Sequence, residues 1–171
     1  GTAVDASNMS IYTPEGASGE RYLLLGWIGS GSVPDTGTSN LVSFVMYRTS
    51  SLTWSWRHEY LLTVSTENGL GVISFLGTGW REAGSQITIT NSTPTVATAS
   101  PDIRWKATGY RGTGSVAPLS TDLSVTFNIN LATTIVFSWA YQYKMTVNNP
   151  VGYGNPYPPA GENWFDDQER I

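Results

Sequence analysis

The chain has no cysteine, two lysines, one histidine and only 13% charged residues across 171 positions. Each scarcity excludes something. Without cysteine there are no disulfides and no thiolate metal sites, so the fold must rest on packing. With nine basic residues and a formal charge of −4, no basic face can neutralise a run of phosphates, and nucleic-acid binding is set aside. No apolar run approaches the about 18 residues that span a bilayer, so membrane insertion is not expected. The first residues lack the basic and apolar regions of a signal peptide, and any export signal is expected upstream or already removed. Helix formers are sparse while Gly, Ser, Thr and Asn are abundant, a balance that favours strands and turns.

The chain does contain a repeat. Arg21-Tyr-Leu-Leu-Leu-Gly-Trp-Ile-Gly-Ser-Gly-Ser-Val33 matches Arg104-Trp-Lys-Ala-Thr-Gly-Tyr-Arg-Gly-Thr-Gly-Ser-Val116, a register difference of 104 − 21 = 83. The same offset carries Phe44 to Phe127, Trp56 to Trp139, Tyr60 to Tyr143 and Thr63-Val64 to Thr146-Val147. One extra residue then takes Gly77 and Trp80 to Gly161 and Trp164. Gly1 falls on Gly84 and Ile171 on Ile87, so the chain holds almost two periods.

Alternation of apolar and polar residues marks half-buried strands. Val42, Phe44 and Met46 form one face of Leu41–Tyr47, answered by Val125, Phe127 and Ile129 in 124–130; Leu52, Trp54 and Trp56 are answered by Ile135, Phe137 and Trp139. Further strands are expected at 21–28, 104–111, 59–66, 142–148 and 86–91. Asn68-Gly69, Gly77-Thr-Gly79, Gly112-Thr-Gly114 and the Pro-rich stretch 149–159 read as turns. The fold class expected is all-β, two tandem copies of a small antiparallel β repeat, sandwich-like or as stacked small sheets.

Four motifs, Tyr60-Leu-Leu-Thr-Val64, Gly79-Trp-Arg-Glu-Ala-Gly-Ser85, the Arg21–Ser32 run and Leu52-Thr-Trp-Ser-Trp56, together resemble the β-rich tandem repeats of large secreted and surface proteins of bacteria and archaea. They are more distantly similar to internalin B-repeat modules. Tyr110 departs from the pattern at the Gly-Trp position. The resemblance implies an extracellular or cell-surface location and a modular β fold, without an activity. It also implies a division into 1–57 (the C-terminal part of a first unit), 58–141 (a complete unit) and 142–171 (the start of a further one). The alternative cut is 1–83 and 84–171.

Candidate chemical residues are few. His58 has Tyr141 as its counterpart and no nucleophile motif beside it, so it reads as a strand-edge histidine and not as a catalytic base. Glu162, Asp166, Asp167 and Glu169 could supply calcium oxygens, but their spacing is not that of an EF-hand loop and a solvated turn explains them. The glycine-rich runs 26–32 and 109–115 lack a P-loop lysine. Lys144 and Lys106 replace Leu61 and Leu23, which fits solvent exposure better than an isopeptide cross-link. No catalytic residue, metal or cofactor is expected, and no pocket of convergent polar groups.

Two sets of binding or modification residues remain. Trp27, Trp80, Trp105, Tyr110 and Trp164 lie near expected turns and, if exposed in a row, could stack on sugar rings. Asn8-Met-Ser10 and Asn91-Ser-Thr93 are glycosylation sequons at the repeat offset, 91 − 8 = 83. The functional expectation is an extracellular structural or adhesive repeat glycoprotein, not an enzyme. It could be a filament or surface-array subunit whose partners are copies of itself or neighbouring repeats, joined head to tail by strand complementation. The alternative is a carbohydrate-binding module that meets surface glycans through its aromatics.

Overall fold

The computed structural model describes residues 1–150 and 152–168. Fourteen strands, one 3₁₀ turn and no α-helix occur among these residues. In chain order they are β1 (Thr2–Ser7), β2 (Ile11–Tyr12), β3 (Glu20–Ser30), β4 (Thr36–Gly37), β5 (Leu41–Met46) and β6 (Ser51–Thr66), then, after the turn Glu67–Gly69, β7 (Gly77–Glu82). There follow β8 (Gln86–Thr90), β9 (Thr95–Ala97), β10 (Ile103–Thr113), β11 (Leu119–Ser120), β12 (Ser124–Asn128), β13 (Thr133–Val147) and β14 (Gly161–Asp166). The all-β class expected from composition is the class observed.

Several boundaries differ from the expected ones, each for a physical reason. The strands expected at Leu52–Trp56 and 59–66 are one continuous β6, and likewise β13 is unbroken. No turn residue stands between their halves, so nothing stops the extended backbone. The expected turn Gly77-Thr-Gly79 instead opens β7, and the acidic stretch from Glu162 to Asp166 lies inside β14. In β14 the acidic side chains have lysine partners, which makes a strand affordable where an unpaired acidic run would favour solvent. Glu169 and Ile171 lie outside the described residues.

The chain forms two compact units, interleaved in sequence. The first comprises Gly1–Leu62, Gly79–Gln86 and Asn128–Thr133; the second comprises Thr63–Thr78, Ile87–Phe127 and Thr134–Ile171.

In the first unit β3 pairs antiparallel with β6, from Glu20 opposite Tyr60 to Ser30 opposite Ser51. β2 and β4 add to β3, and β1 pairs separately with β5. Side chains of the two sheets meet in a core of Trp27, Val33 and Val42, packed by Ala6, Phe44, Leu52 and Trp54. Trp27 meets Trp54 edge to face, with centroids 5.9 Å apart.

In the second unit β10 pairs antiparallel with β13, from Ile103 opposite Tyr143 to Thr113 opposite Thr134. β9 and β11 add to β10, β14 adds to β13, and β8 pairs with β12. Ile89, Tyr110, Ile135, Phe137 and Trp139 are buried there. Tyr110 meets Phe137 edge to face at 6.1 Å.

Both long pairings contain a bulge. Leu25 is extra between Leu24 and Gly26, and Thr108 between Ala107 and Gly109. Gly26 and Gly109 take φ of 133° and 118°, a region open to glycine and poor for other residues.

Candidate functional site

The site arises where a long strand runs past its core. In β13 the odd-numbered residues are buried from Thr133 to Trp139, then Tyr141, Tyr143 and Met145 on that face are exposed. In β6 the even-numbered face begins with Leu52 and Trp54 in the core, then carries Trp56, His58 and Tyr60, all half-buried. Strand alternation fixes which side chains share this face.

On the first unit these residues build a cleft of about 570 Å³ lined by Tyr12, Pro14, Glu20, Tyr22 and Trp56. β2 presents Tyr12, β3 presents Glu20 and Tyr22, and β6 presents Trp56. His58 lies opposite Tyr22 in register, and the two rings stack with centroids 4.3 Å apart and planes 7° from parallel. Tyr60, two residues along β6, lies 4.6 Å from His58, and Tyr12, opposite Tyr22 on β2, lies 6.0 Å from Tyr22. Four rings from three strands thus cluster beside Glu20.

Glu20 supplies the charge. Its Oε1 accepts from His58 Nε2 at 2.8 Å and from the Tyr22 hydroxyl at 3.4 Å. Burial, and after it the Glu20 charge, pushes the Tyr22 and Tyr60 phenols above their ordinary range. Both therefore stay protonated, with hydroxyls able to donate.

The second unit carries a ring cluster of its own. Trp105 stacks on Tyr141 at 3.9 Å with planes 26° apart, and Tyr143 follows at 6.4 Å. Tyr141 and Tyr143 are 39% and 43% exposed. At an offset of 83 residues Ile103 and Tyr141 stand against Glu20 and His58, with neither carboxylate nor imidazole.

The opposite strand face is built differently. Arg21 donates from Nε to Glu59 at 2.7 Å, and its guanidinium lies 4.2 Å from the centroid of Trp80. Arg57 reaches the same buried carboxylate at 2.7 Å. Burial drives the Glu59 pKa upward, but the two guanidiniums outweigh it and hold the carboxyl below its ordinary range. In the second unit Arg104 donates to Gln142 at 2.8 Å and lies 4.2 Å over Trp164. Both tryptophans are capped by a cation and fixed in place.

The aromatics expected as sugar platforms are therefore mostly something else. Trp27 and Tyr110 are 9% and 5% exposed, core residues on the inward face beside the bulges. Trp80 and Trp164 lie under arginines. Of the five, Trp105 belongs to an accessible shelf. Sequence reasoning passed over Tyr12, Glu20 and Tyr22 as site residues, read Trp56 as a strand-face aromatic, and set His58 aside because it has no nucleophile motif beside it and tyrosine stands at the repeat offset. The available signal was that Tyr22 and His58 exchange together for Trp105 and Tyr141, a ring pair replaced by a ring pair.

The remaining candidates also find their places. His58 is not at a strand edge, since β6 pairs with both β3 and β7. Lys144 is largely covered and bridges Asp102 at 2.9 Å and Glu162 at 3.5 Å, and Lys106 pairs with Asp166 at 2.9 Å. No group of metal-ligating residues is found among the described residues. Asn8 is half-buried at the end of β1, its Oδ1 accepting from Met9 N. Asn91 is 3% exposed: Oδ1 accepts from Thr93 N, and Nδ2, the atom a glycan would be joined to, is sealed from solvent. Its burial removes it as an acceptor in the folded chain.

No helix is long and apolar enough to cross a membrane among the described residues. No family model, no curated protein and no solved structure matches the chain.

Proposed function

We propose that this chain is an extracellular adhesive β-repeat protein that holds carbohydrate on aromatic shelves, without chemical turnover. The observation that carries the reading is the cleft on the first unit. It sets the rings of Tyr12, Tyr22 and Trp56 beside one carboxylate held by hydrogen bonds. Glycoside hydrolysis uses two carboxyl groups flanking the scissile bond, and Glu20 is the one carboxylate among the lining residues. Binding without cleavage is the reading that fits.

The proposed architecture is two copies of one unit of about 83 residues. β3 and β10 are each 11 residues long, begin at Glu20 and Ile103, and share the burial order at Gly26-Trp27-Ile28 and Gly109-Tyr110-Arg111. Both carry a bulge before the glycine, an inward ring, and an arginine over a tryptophan. The extracellular location is proposed on the resemblance of the four motifs to the repeats of large secreted and surface proteins. Joining of chains by strand exchange is not part of the proposal: β1 is paired to β5 and β14 to β13 within the chain.

Titration of the chain with soluble glucans, mannans and chitin oligomers, followed by tryptophan fluorescence, tests the reading. Trp56 lines the cleft and its emission is expected to shift on saturation. Tyr12→Ala is expected to weaken binding roughly tenfold, since covering an aromatic side chain with a ligand contributes about 1.5–3 kcal/mol. No fluorescence change and no heat with any of these sugars sinks the reading.

A further inference from the structure

The charge of the first cleft says more about its ligand, an inference that rests on the carbohydrate reading above. Glu20 brings a formal charge to a site otherwise lined by Tyr12, Pro14, Tyr22 and Trp56. Arg21 and Arg57 do not neutralise it, because alternation turns both to the opposite strand face, where they hold Glu59. The described bonds to Glu20, from His58 and Tyr22, both fall on Oε1. They leave Oε2 to accept from a ligand in the cleft. At the same positions the second copy has Ile103 and Tyr141, so the charge belongs to this cleft and is not required by the fold.

We propose that Glu20 makes the cleft of the first unit an amino-sugar site. A pyranose lying in the cleft against Tyr12 and Trp56 gives its ring CH groups to those rings and its ammonium to Oε2. A hydroxyl and an ammonium both make charge-assisted hydrogen bonds to a carboxylate, and the ammonium adds the attraction of opposite charges. A uronic acid in the same pose sets its carboxylate against that of Glu20 and is rejected.

The test is calorimetric titration of the whole chain at low salt with four oligosaccharides: glucosamine, N-acetylglucosamine, glucose and galacturonic acid oligomers of equal length. The glucosamine oligomer is expected to bind roughly fivefold tighter than the two neutral ones, and the acidic oligomer at least about fivefold more weakly. Because the pair is partly solvated, raising the salt to about 0.5 M should shrink both differences to about twofold or less in the unaltered chain. Glu20→Gln should equalise amine and neutral oligomers at low salt. Equal affinities across all four in the unaltered chain overturn the proposal, and so does an amine preference that survives in Glu20→Gln. Both outcomes leave the carbohydrate reading standing, whereas no binding of any oligomer removes both. The salt series keeps the test valid if the variant folds poorly.

Discussion

Arg21 Nε and Glu59 Oε2 lie 2.7 Å apart on neighbouring strands, directly opposite each other in register. The carboxylate is 5% exposed and has a second partner in Arg57. A buried carboxylate deprived of a cation keeps its desolvation cost without the attraction that offset it. Arg21→Met is therefore expected to destabilise the chain by about 2 kcal/mol, read from the urea unfolding midpoint at constant m-value. Glu59→Gln removes the charge and preserves an acceptor, the arrangement that Gln142 already shows with Arg104. It should cost under about 1 kcal/mol, and an equal loss in the two variants would show that the pair is not what holds these strands.

The same carboxylate sets the acid limit of the fold. Glu59 is held below its ordinary value of 4.5, and Asp166 below 3.8 because Lys106 and Gln142 both donate to it, outweighing burial. A carboxyl with a depressed folded pKa contributes stability that is fully present above its unfolded pKa and is lost as pH falls through the folded one. Lys144 runs the other way: Asp102 raises it above 10.5, so its contribution is complete below that value and is lost as pH rises through the folded pKa. The melting temperature should be nearly flat between about pH 5 and 9 and fall below about 4.5. Glu59→Gln should flatten the acid limb. An unchanged acid limb in that variant rules out Glu59 as its source.

Much of the fold was legible because β6 and β13 alternate cleanly over their first halves, Leu52-Trp54-Trp56 and Ile135-Phe137-Trp139. The site was not legible for the same reason. Tyr60 and Tyr143 continue the apolar alternation, and a sequence pattern does not show where the layer above a strand ends. Tyr141 and Phe137 look alike as apolar strand residues, yet Phe137 is fully buried and Tyr141 is 39% exposed. The Arg21–Trp80 contact was hidden because its partners come from strands far apart in sequence. β7 itself was masked by two glycines that normally signal a turn.

Gly26 and Gly109 mark the bulges, and two separate effects make them intolerant. Each has positive φ, and a Cβ would fall on the carbonyl oxygen of Gly37 or Ser120 respectively. Gly77 has a similar φ of 112° with open space around it. Gly77→Ala should cost about 1 kcal/mol from backbone strain alone. Gly26→Ala and Gly109→Ala should each cost about 3 kcal/mol or more, because strand β4 or β11 must also move. Thermal unfolding of the three variants separates the two effects, and equal losses would show that the close approach is not limiting.

The sequons at the repeat offset are unequal in the folded chain. Treated with an asparagine glycosyltransferase after folding, the chain should gain a glycan at Asn8 and none at Asn91, whose Nδ2 is enclosed. Peptide mass mapping reads the result directly. Modification at Asn91 at a rate like that of Asn8 would mean that the segment around Asn91 opens readily.

Trp27 and Gly37 face each other across β3 and β4, as Tyr110 and Ser120 do across β10 and β11. The exchange is one of size: the larger ring is matched by no side chain, the smaller ring by a hydroxymethyl group. A Cβ on Gly37 would overlap the far end of the Trp27 indole, which the core of Val33, Val42 and Trp54 keeps from moving aside. Gly37→Ser should therefore destabilise by about 2 kcal/mol through overpacking. Trp27→Tyr alone removes volume from a packed core and should cost about 1–3 kcal/mol. The double variant reproduces the Tyr110–Ser120 pairing and should lose at least about 1 kcal/mol less than the two single losses added together, a coupling that a double-mutant cycle measures. Strict additivity would mean that the ring and the residue opposite it are filled independently, and that the resemblance between Trp27 and Tyr110 is one of sequence alone.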